Sequence, residues 1–229
     1  MPMQGIKGLS NVIIKNTLPN NRLNDKFDDF CRDQTLKLGF GERYRHCFSN
    51  TPDDMIHDYL MRNTHETGTG IRLTGPEGSG KTWSLAIIAF NLFKLAGVYG
   101  IKGSPEMIDY WNSPLKGDIA YLYPERISAD LCESTGSRLV ENIKLYTKAK
   151  FLFIDDIDQI ENNHHLPYRL SNIISRRYAN NLTTFFTSTC AIDNMQANSN
   201  YNSTIRLLLE MTLPVNLEAS TPQTEFNLQ

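Results

Sequence analysis

The eight residues Gly75-Pro76-Glu77-Gly78-Ser79-Gly80-Lys81-Thr82 constrain this chain more than any other stretch. They satisfy G-x-x-x-x-G-K-[ST] at every fixed position, a match that chance alone produces on the order of once in a hundred chains of this size. The flanks raise the odds further. A short strand is expected over 70–74, ending at the first glycine, and a long apolar helix is expected to begin near Lys81. In that setting the glycines let backbone N–H groups turn inward and cradle phosphate oxygens. The helix aims its positive dipole end at the same oxygens. Lys81 then reaches the β- and γ-phosphates, and Thr82 offers a hydroxyl to Mg2+. The competing account is a glycine-rich turn with no ligand, and the flanking strand and helix count against it.

Beyond residue 50, strand-like and helix-like segments alternate, which implies an α/β fold with a mainly parallel sheet flanked by helices. Thr51-Pro52-Asp53-Asp54 reads as a helix start: a hydroxyl cap, a proline in the first turn, then acids at the positive dipole end. That helix is expected to run to about Asn63. Lys81 to Ala96 is apolar on nearly all sides, so it predicts a buried helix, stopped by Gly97. Strands are expected at 119–123, 151–154 and 183–187. Helices are expected at 128–146 (with a break near Gly136), 167–180 and 204–211. Residues 98–118 carry three Gly and two Pro and predict an irregular insertion. After Pro214 the chain is a polar tail. The expected organisation is an N-terminal arm over 1–45, one domain over 46–217, and a tail over 218–229.

Charge and cysteines narrow the classes. Lys+Arg number 23 and Asp+Glu 25, for a net charge of −2. Any contact with nucleic acid must therefore come from local basic patches or an assembled oligomer. Arg138, Lys144, Lys148 and Lys150 form one such patch. Hydrophobic residues at 40% argue against wholesale disorder. Cys31, Cys47, Cys132 and Cys190 are scattered with no CxxC, which favours free thiols in a reducing compartment over zinc or disulfides. No stretch has the length of a signal peptide or a membrane span, so the expected location is the cytoplasm, with no membrane partner.

Phe151-Leu152-Phe153-Ile154-Asp155-Asp156 is an apolar run ending in two acids. A strand buried on both faces would deliver Asp155 to the carboxyl edge of the sheet, beside the phosphate loop. There Asp155 would hold Mg2+, directly or through water, and Asp156 would polarise the attacking water. A solvated acidic turn is the alternative, since Asp158 follows. The strand over 183–187 runs into Ser188-Thr189, whose hydroxyl at the strand end could bond the γ-phosphate or the water. Arg206, or the pair Arg176 and Arg177, could reach a neighbouring subunit's site and stabilise transition-state charge. Each arginine alone is more often a surface residue. His164-His165 reads as a solvated loop.

The order of these parts resembles a family. Tyr44-Arg45 and Phe48, then Gly75 to Thr82, Phe151 to Asp156, Ile173-Ile174-Ser175-Arg176-Arg177-Tyr178, Thr184 to Thr189 and Arg206 to Glu210 are similar to the AAA+ ATPase of DnaC-type helicase loaders. IstB-type transposition helpers share the pattern. The resemblance covers roughly 44–217. It implies a P-loop NTPase of AAA+ type that binds ATP and Mg2+, forms a homo-oligomer with ATP, and transfers a replicative helicase onto single-stranded DNA. The alternative it leaves open is an ATPase that assembles on DNA and recruits a transposase. It implies catalytic roles for Lys81, Asp155, Asp156, Thr189 and Arg206, and a partner-docking role for residues 1–45. The family strand ends Thr-Ser-Asn where this one ends Thr187-Ser188-Thr189. Arg206 falls one position before the family's arginine.

Overall fold

The computed structural model describes residues 21–49, 54–62, 67–100, 118–159, 166–189 and 202–218. Five parallel strands form one sheet: β1 (Gly70–Thr74), β2 (Ile119–Leu122), β3 (Phe151–Ile154), β4 (Thr183–Ser188) and β5 (Thr212–Asn216), in the order β2-β3-β4-β1-β5. The helices are α1 (Asn21–Lys37), α2 (Asp54–Met61), α3 (Lys81–Gly100), α4 (Pro124–Ile127), α5 (Gly136–Lys148), α6 (Leu166–Ala179) and α7 (Asn202–Glu210). A 3-10 turn over Glu42–Ser49 follows α1, and a π-helical turn over Ser128–Glu133 joins α4 to α5.

Side chains alternate across a strand, and here both faces are covered. Ile119, Tyr121, Phe151, Phe153 and Phe185 face a core built with α1, α2 and α3. Ala120, Leu122, Leu152, Ile154 and Phe186 face a second core built with α4, α5, α6 and α7. This explains the unbroken apolar run of β3, all of which is buried.

Four expectations need correction. First, α3 passes through Gly97 and ends at Gly100. A single glycine costs a helix about 1 kcal/mol against alanine, which is no barrier where buried packing holds the helix. Second, the chain just after Pro214 is still sheet rather than polar tail. Thr212–Asn216 is an edge strand beside β1, with Pro214 opposite Arg72. An edge strand tolerates proline because its outer side needs no N–H donor. Third, the mixed helix expected over 128–146 does break near Gly136, at Ser134-Thr135, but its first piece is a π-helical turn over Ser128–Glu133 and Gly136 itself starts α5. Gly136 has φ +57°, a left-handed conformation that glycine adopts without strain.

Fourth, residues 28–45 do not stand apart as an arm. Cys31, Phe40 and Tyr44 are buried in the α3-side core. Asp28 pairs with Lys94 of α3 at 2.8 Å, Phe48 stacks on Phe90, and Phe40 stacks on Tyr121 with ring centres 4.1 Å apart. Apolar residues in a stretch this short cannot make their own core, so they join the nearest one. Residues 1–20, 50–53, 63–66, 101–117, 160–165, 190–201 and 219–229 lie outside the described residues, and so therefore do Thr51-Pro52-Asp53 of the expected helix start and Asn63 at its expected end. With them go the start of the arm, most of the insertion, His164-His165, Cys190 and the tail.

Candidate active site

The phosphate motif occupies the turn between β1 and α3. Gly78 and Gly80 have φ of +79° and +88°, the left-handed region that a side chain disfavours. Gly75 is required for a different reason: a β-carbon there would sit 2.2 Å from the Leu217 carbonyl oxygen, where the chain leaves β5. Lys81 is buried, and its Nζ donates to the carbonyls of Gly75 and Pro76, at 2.9 Å each. The ammonium is thus folded back over the loop. Ser79 Oγ is buried and makes no hydrogen bond. A buried hydroxyl without a partner is costly, and a phosphate oxygen in the cradle would satisfy it.

Asp155 stands one residue past β3, 4% exposed. Its Oδ2 accepts from Thr82 Oγ1 and from the Tyr121 hydroxyl, each at 2.9 Å. Its Oδ1 accepts from Thr187 Oγ1 at 2.6 Å. Alternation accounts for this cluster: Tyr121, Phe153, Asp155, Phe185 and Thr187 are odd-numbered residues of three neighbouring strands, on the face where Thr82 opens α3. Burial and the facing Asp155 charge push the Tyr121 hydroxyl well above the ordinary phenol range, so it stays a donor.

The oxygens of Thr82 and Asp155 form a hard donor pair. Two adjacent hard oxygens, one of them anionic, are the donor type that suits Mg2+. Thr82 and Asp155 are the residues that would hold it.

Asp156 has φ +46°, an uncommon conformation for a residue with a side chain. Its N–H donates to Thr187 Oγ1 at 2.7 Å, which fixes the turn. Its carboxyl lies above the ordinary carboxylate range, raised by burial first and by Asp155 second, with Lys81 acting the other way. Asp156 and Thr189 line a cavity of about 530 Å³ with Gly78, Gly80, Lys81 and Thr82. Thr189 is engaged there: its N–H donates to Asp158 at 3.0 Å and its hydroxyl bonds the same carboxylate. Asp158 is therefore a strand-end clamp rather than one acid of a solvated turn.

The arginines separate. Arg177 is fully buried and donates to the carbonyls of Tyr146, Ala149, Lys150 and Thr183 and to Thr184 Oγ1. Burial pulls its guanidinium down to about 9. It cannot reach another subunit, so the Arg176/Arg177 pair is reduced to Arg176, which is exposed. Arg206 is 77% exposed on α7, paired with Glu210 at 3.2 Å, and outside the residues lining this cavity. Sequence reading missed Tyr121 and Thr187 as site residues, and it missed Arg43 and Trp83, which line the cavity with Tyr44. Nothing local in the sequence marks Tyr121, while Thr187 stands out only as a polar residue near the end of its strand.

No protein-family model matches the chain, and no curated protein matches it in sequence. Solved structures do match in shape. The DnaC helicase loader superposes with a TM-score of 0.53 at 16% identity, over 77% of this chain and 99% of that one. DnaI gives 0.51 at 17% identity, over 93% of this chain and 90% of that one. AMPPCP-bound DnaA from Aquifex aeolicus gives 0.54 at 13% identity over 74% of this chain. The chain shares the fold of these replication proteins. It spans 47% of that DnaA chain, so less than half of the initiator's length is represented. The α/β expectation and the DnaC-type resemblance thus hold at the level of the fold. Among the described residues, no helix is long and apolar enough to cross a membrane.

Proposed function

We propose that this chain is an ATP-dependent helicase loader of the DnaC kind, an ATPase that binds ATP with Mg2+ and delivers a replicative helicase onto single-stranded DNA. The observation that carries the reading is one cavity shared by the loop glycines, Lys81, Thr82 and Asp156, with Asp155 bonded to Thr82 behind it. Such a site supports phosphoryl transfer by positioning and charge alone.

In the proposed mechanism, Gly75 to Thr82 cradle the phosphates with backbone N–H groups. Lys81 exchanges the carbonyls of Gly75 and Pro76 for the β- and γ-oxygens. Mg2+, when bound, neutralises charge developing on those oxygens. Asp155 and Thr82 hold that ion, and Asp156 orients and polarises the water from its fixed turn. Thr189 turns from Asp158 to the γ-phosphate side. Arg206 projects from α7 toward a second subunit, making hydrolysis dependent on a homo-oligomer formed with ATP. Exposed Arg138, Lys144, Lys148 and Lys150, on and just after α5, supply contacts to single-stranded DNA. The cytoplasm is the compartment this work requires. A loader is favoured over a transposition helper because this chain covers nearly the whole of the DnaC and DnaI chains.

Two measurements test the reading. Lys81→Ala is expected to cut ATP turnover by about a hundredfold or more and to weaken nucleotide binding, since it removes the cation aimed at the phosphates. Turnover at the wild-type rate sinks the phosphate-loop assignment. The second is capture of the replicative helicase by the full chain and by a chain lacking residues 1–20, with α1 kept because it belongs to the core. The expected result is capture by the full chain only, with ATP hydrolysis intact in both. Capture of a transposase and no helicase selects the alternative.

A further inference from the structure

The phosphate loop and the acids after β3 account for most of the polar groups at the carboxyl edge of the sheet. The hydroxyl of Tyr121 is left over. It belongs to β2, the edge strand farthest from β1, and its ring is 3% exposed. An apolar ring would fill that place as well. The hydroxyl is nevertheless 2.9 Å from Asp155 Oδ2, the same oxygen that Thr82 bonds. A ligating carboxylate needs its rotation fixed from behind, and outer-shell donors do that work.

Asp155 has three hydroxyl partners of different standing. Thr82 is a candidate ligand itself and leaves the carboxylate for the ion. Thr187 is shared, since it also accepts the Asp156 N–H. Tyr121 has no such second duty and is rigidly placed. Its ring is stacked on Phe40 with centres 4.1 Å apart and planes 11° apart, and Tyr123 packs against it at 5.3 Å. Phe40 follows Gly39, at the end of the turn after α1, and Arg126 ties that turn down by donating to the Leu38 carbonyl at 3.1 Å.

We propose that Tyr121 is a positioning residue for the divalent cation: its hydroxyl, braced by Phe40, holds the Asp155 carboxylate in the orientation that binds Mg2+ together with Thr82. This inference rests on the proposed ATPase site. It adds a residue from a strand that carries none of the sequence motifs. It also makes the segment after α1 a support of the metal side of the site.

The test is Tyr121→Phe, which keeps the ring and its stacking and removes only the donor. Mn2+, a paramagnetic stand-in for Mg2+, is titrated by EPR into the wild-type and variant proteins with ATP present. Nucleotide binding is measured separately in EDTA. The expected result is about tenfold weaker Mn2+ binding in the variant, with metal-free nucleotide affinity and thermal midpoint unchanged. In an Asp155→Asn background the same substitution is expected to have no further effect on Mn2+, since the group it orients is gone. Mn2+ affinity within about twofold of wild type, or tighter than wild type, overturns the proposal. A further loss of Mn2+ binding in the Asp155→Asn background also overturns it. Failure of the wild-type protein to bind nucleotide in either condition sinks the ATPase reading, and this inference with it; normal nucleotide binding with unchanged Mn2+ affinity sinks this inference alone.

Discussion

Strand β4 has a buried charge at each end, and the two are partnered in opposite ways. At its start, Thr183 and Thr184 accept from Arg177, which is also ringed by the carbonyls of Tyr146, Ala149 and Lys150. At its end, Thr187 donates to Asp155, which also takes Thr82 and Tyr121. The cation is held mainly by main-chain oxygens, which cannot turn away without unfolding the α5–β3 connection. The anion is held by hydroxyls, and a hydroxyl rotates about one bond to face a new ligand. A charge fixed by backbone is structural, and a charge fixed by rotatable hydroxyls is poised for exchange. The amino edge of the sheet is accordingly a knot and the carboxyl edge is the candidate site.

The largest effect expected from this contrast is on stability. Arg177→Met leaves several buried carbonyls without a donor and is expected to cost about 4 kcal/mol, seen as a thermal midpoint lower by roughly 10 °C. Asp155→Asn keeps the shape, and the hydroxyls of Thr82 and Tyr121 can turn to accept from the new amide N–H, so it is expected to change stability by no more than about 1 kcal/mol while ending Mg2+-dependent turnover. If the two lose stability equally in a denaturant titration, the distinction between knot and site is wrong.

Next in size is Asp156→Asn. ATP hydrolysis is expected to fall by about a hundredfold with nucleotide affinity kept, because only the water-polarising charge is removed. A fall in affinity instead makes Asp156 a structural or metal residue. Thr189→Ala is expected to slow hydrolysis by only about tenfold, less than the loss of a fully committed donor. Its hydroxyl must first leave Asp158, so part of its strength is already used.

The smallest effect is a pH shift. Asp156 binds its proton at higher pH in the folded chain than in the unfolded one, because burial and Asp155 both oppose its charge. Folding is therefore strengthened as pH falls through that range, while hydrolysis is lost over the same range. The acid limb of the rate profile is expected above the ordinary carboxylate range. It is expected to move further up in Lys81→Ala if residual turnover is measurable, since Lys81 holds the group down. An acid limb at ordinary carboxylate pH removes Asp156 from the water-polarising role.

The sequence alone determined the glycine-rich turn between β1 and α3, because its signal is local. Glycine conformations, a lysine and a hydroxyl must follow one another within eight residues. It also pointed to a mainly parallel sheet, through the alternation of strand-like and helix-like segments, and to β3 buried on both sides, through the unbroken apolar run of 151–154. Asp155 and Asp156 were legible for the same reason, as acids at the end of such a strand. What the tertiary structure decided was which residues from distant segments meet. Arg177 reads in sequence like Arg176, and only the closing of α6 over the start of β4 buries one and leaves the other in solvent. The segment after α1 reads as an arm until Phe40 and Tyr44 find a core to enter. Pro214 argues against a strand until β1 offers an edge that tolerates it. Tyr121 and Asp155 are 34 residues apart, and no local rule links them. Their contact depends on strand order and register, which are set by the packing of two cores against one sheet.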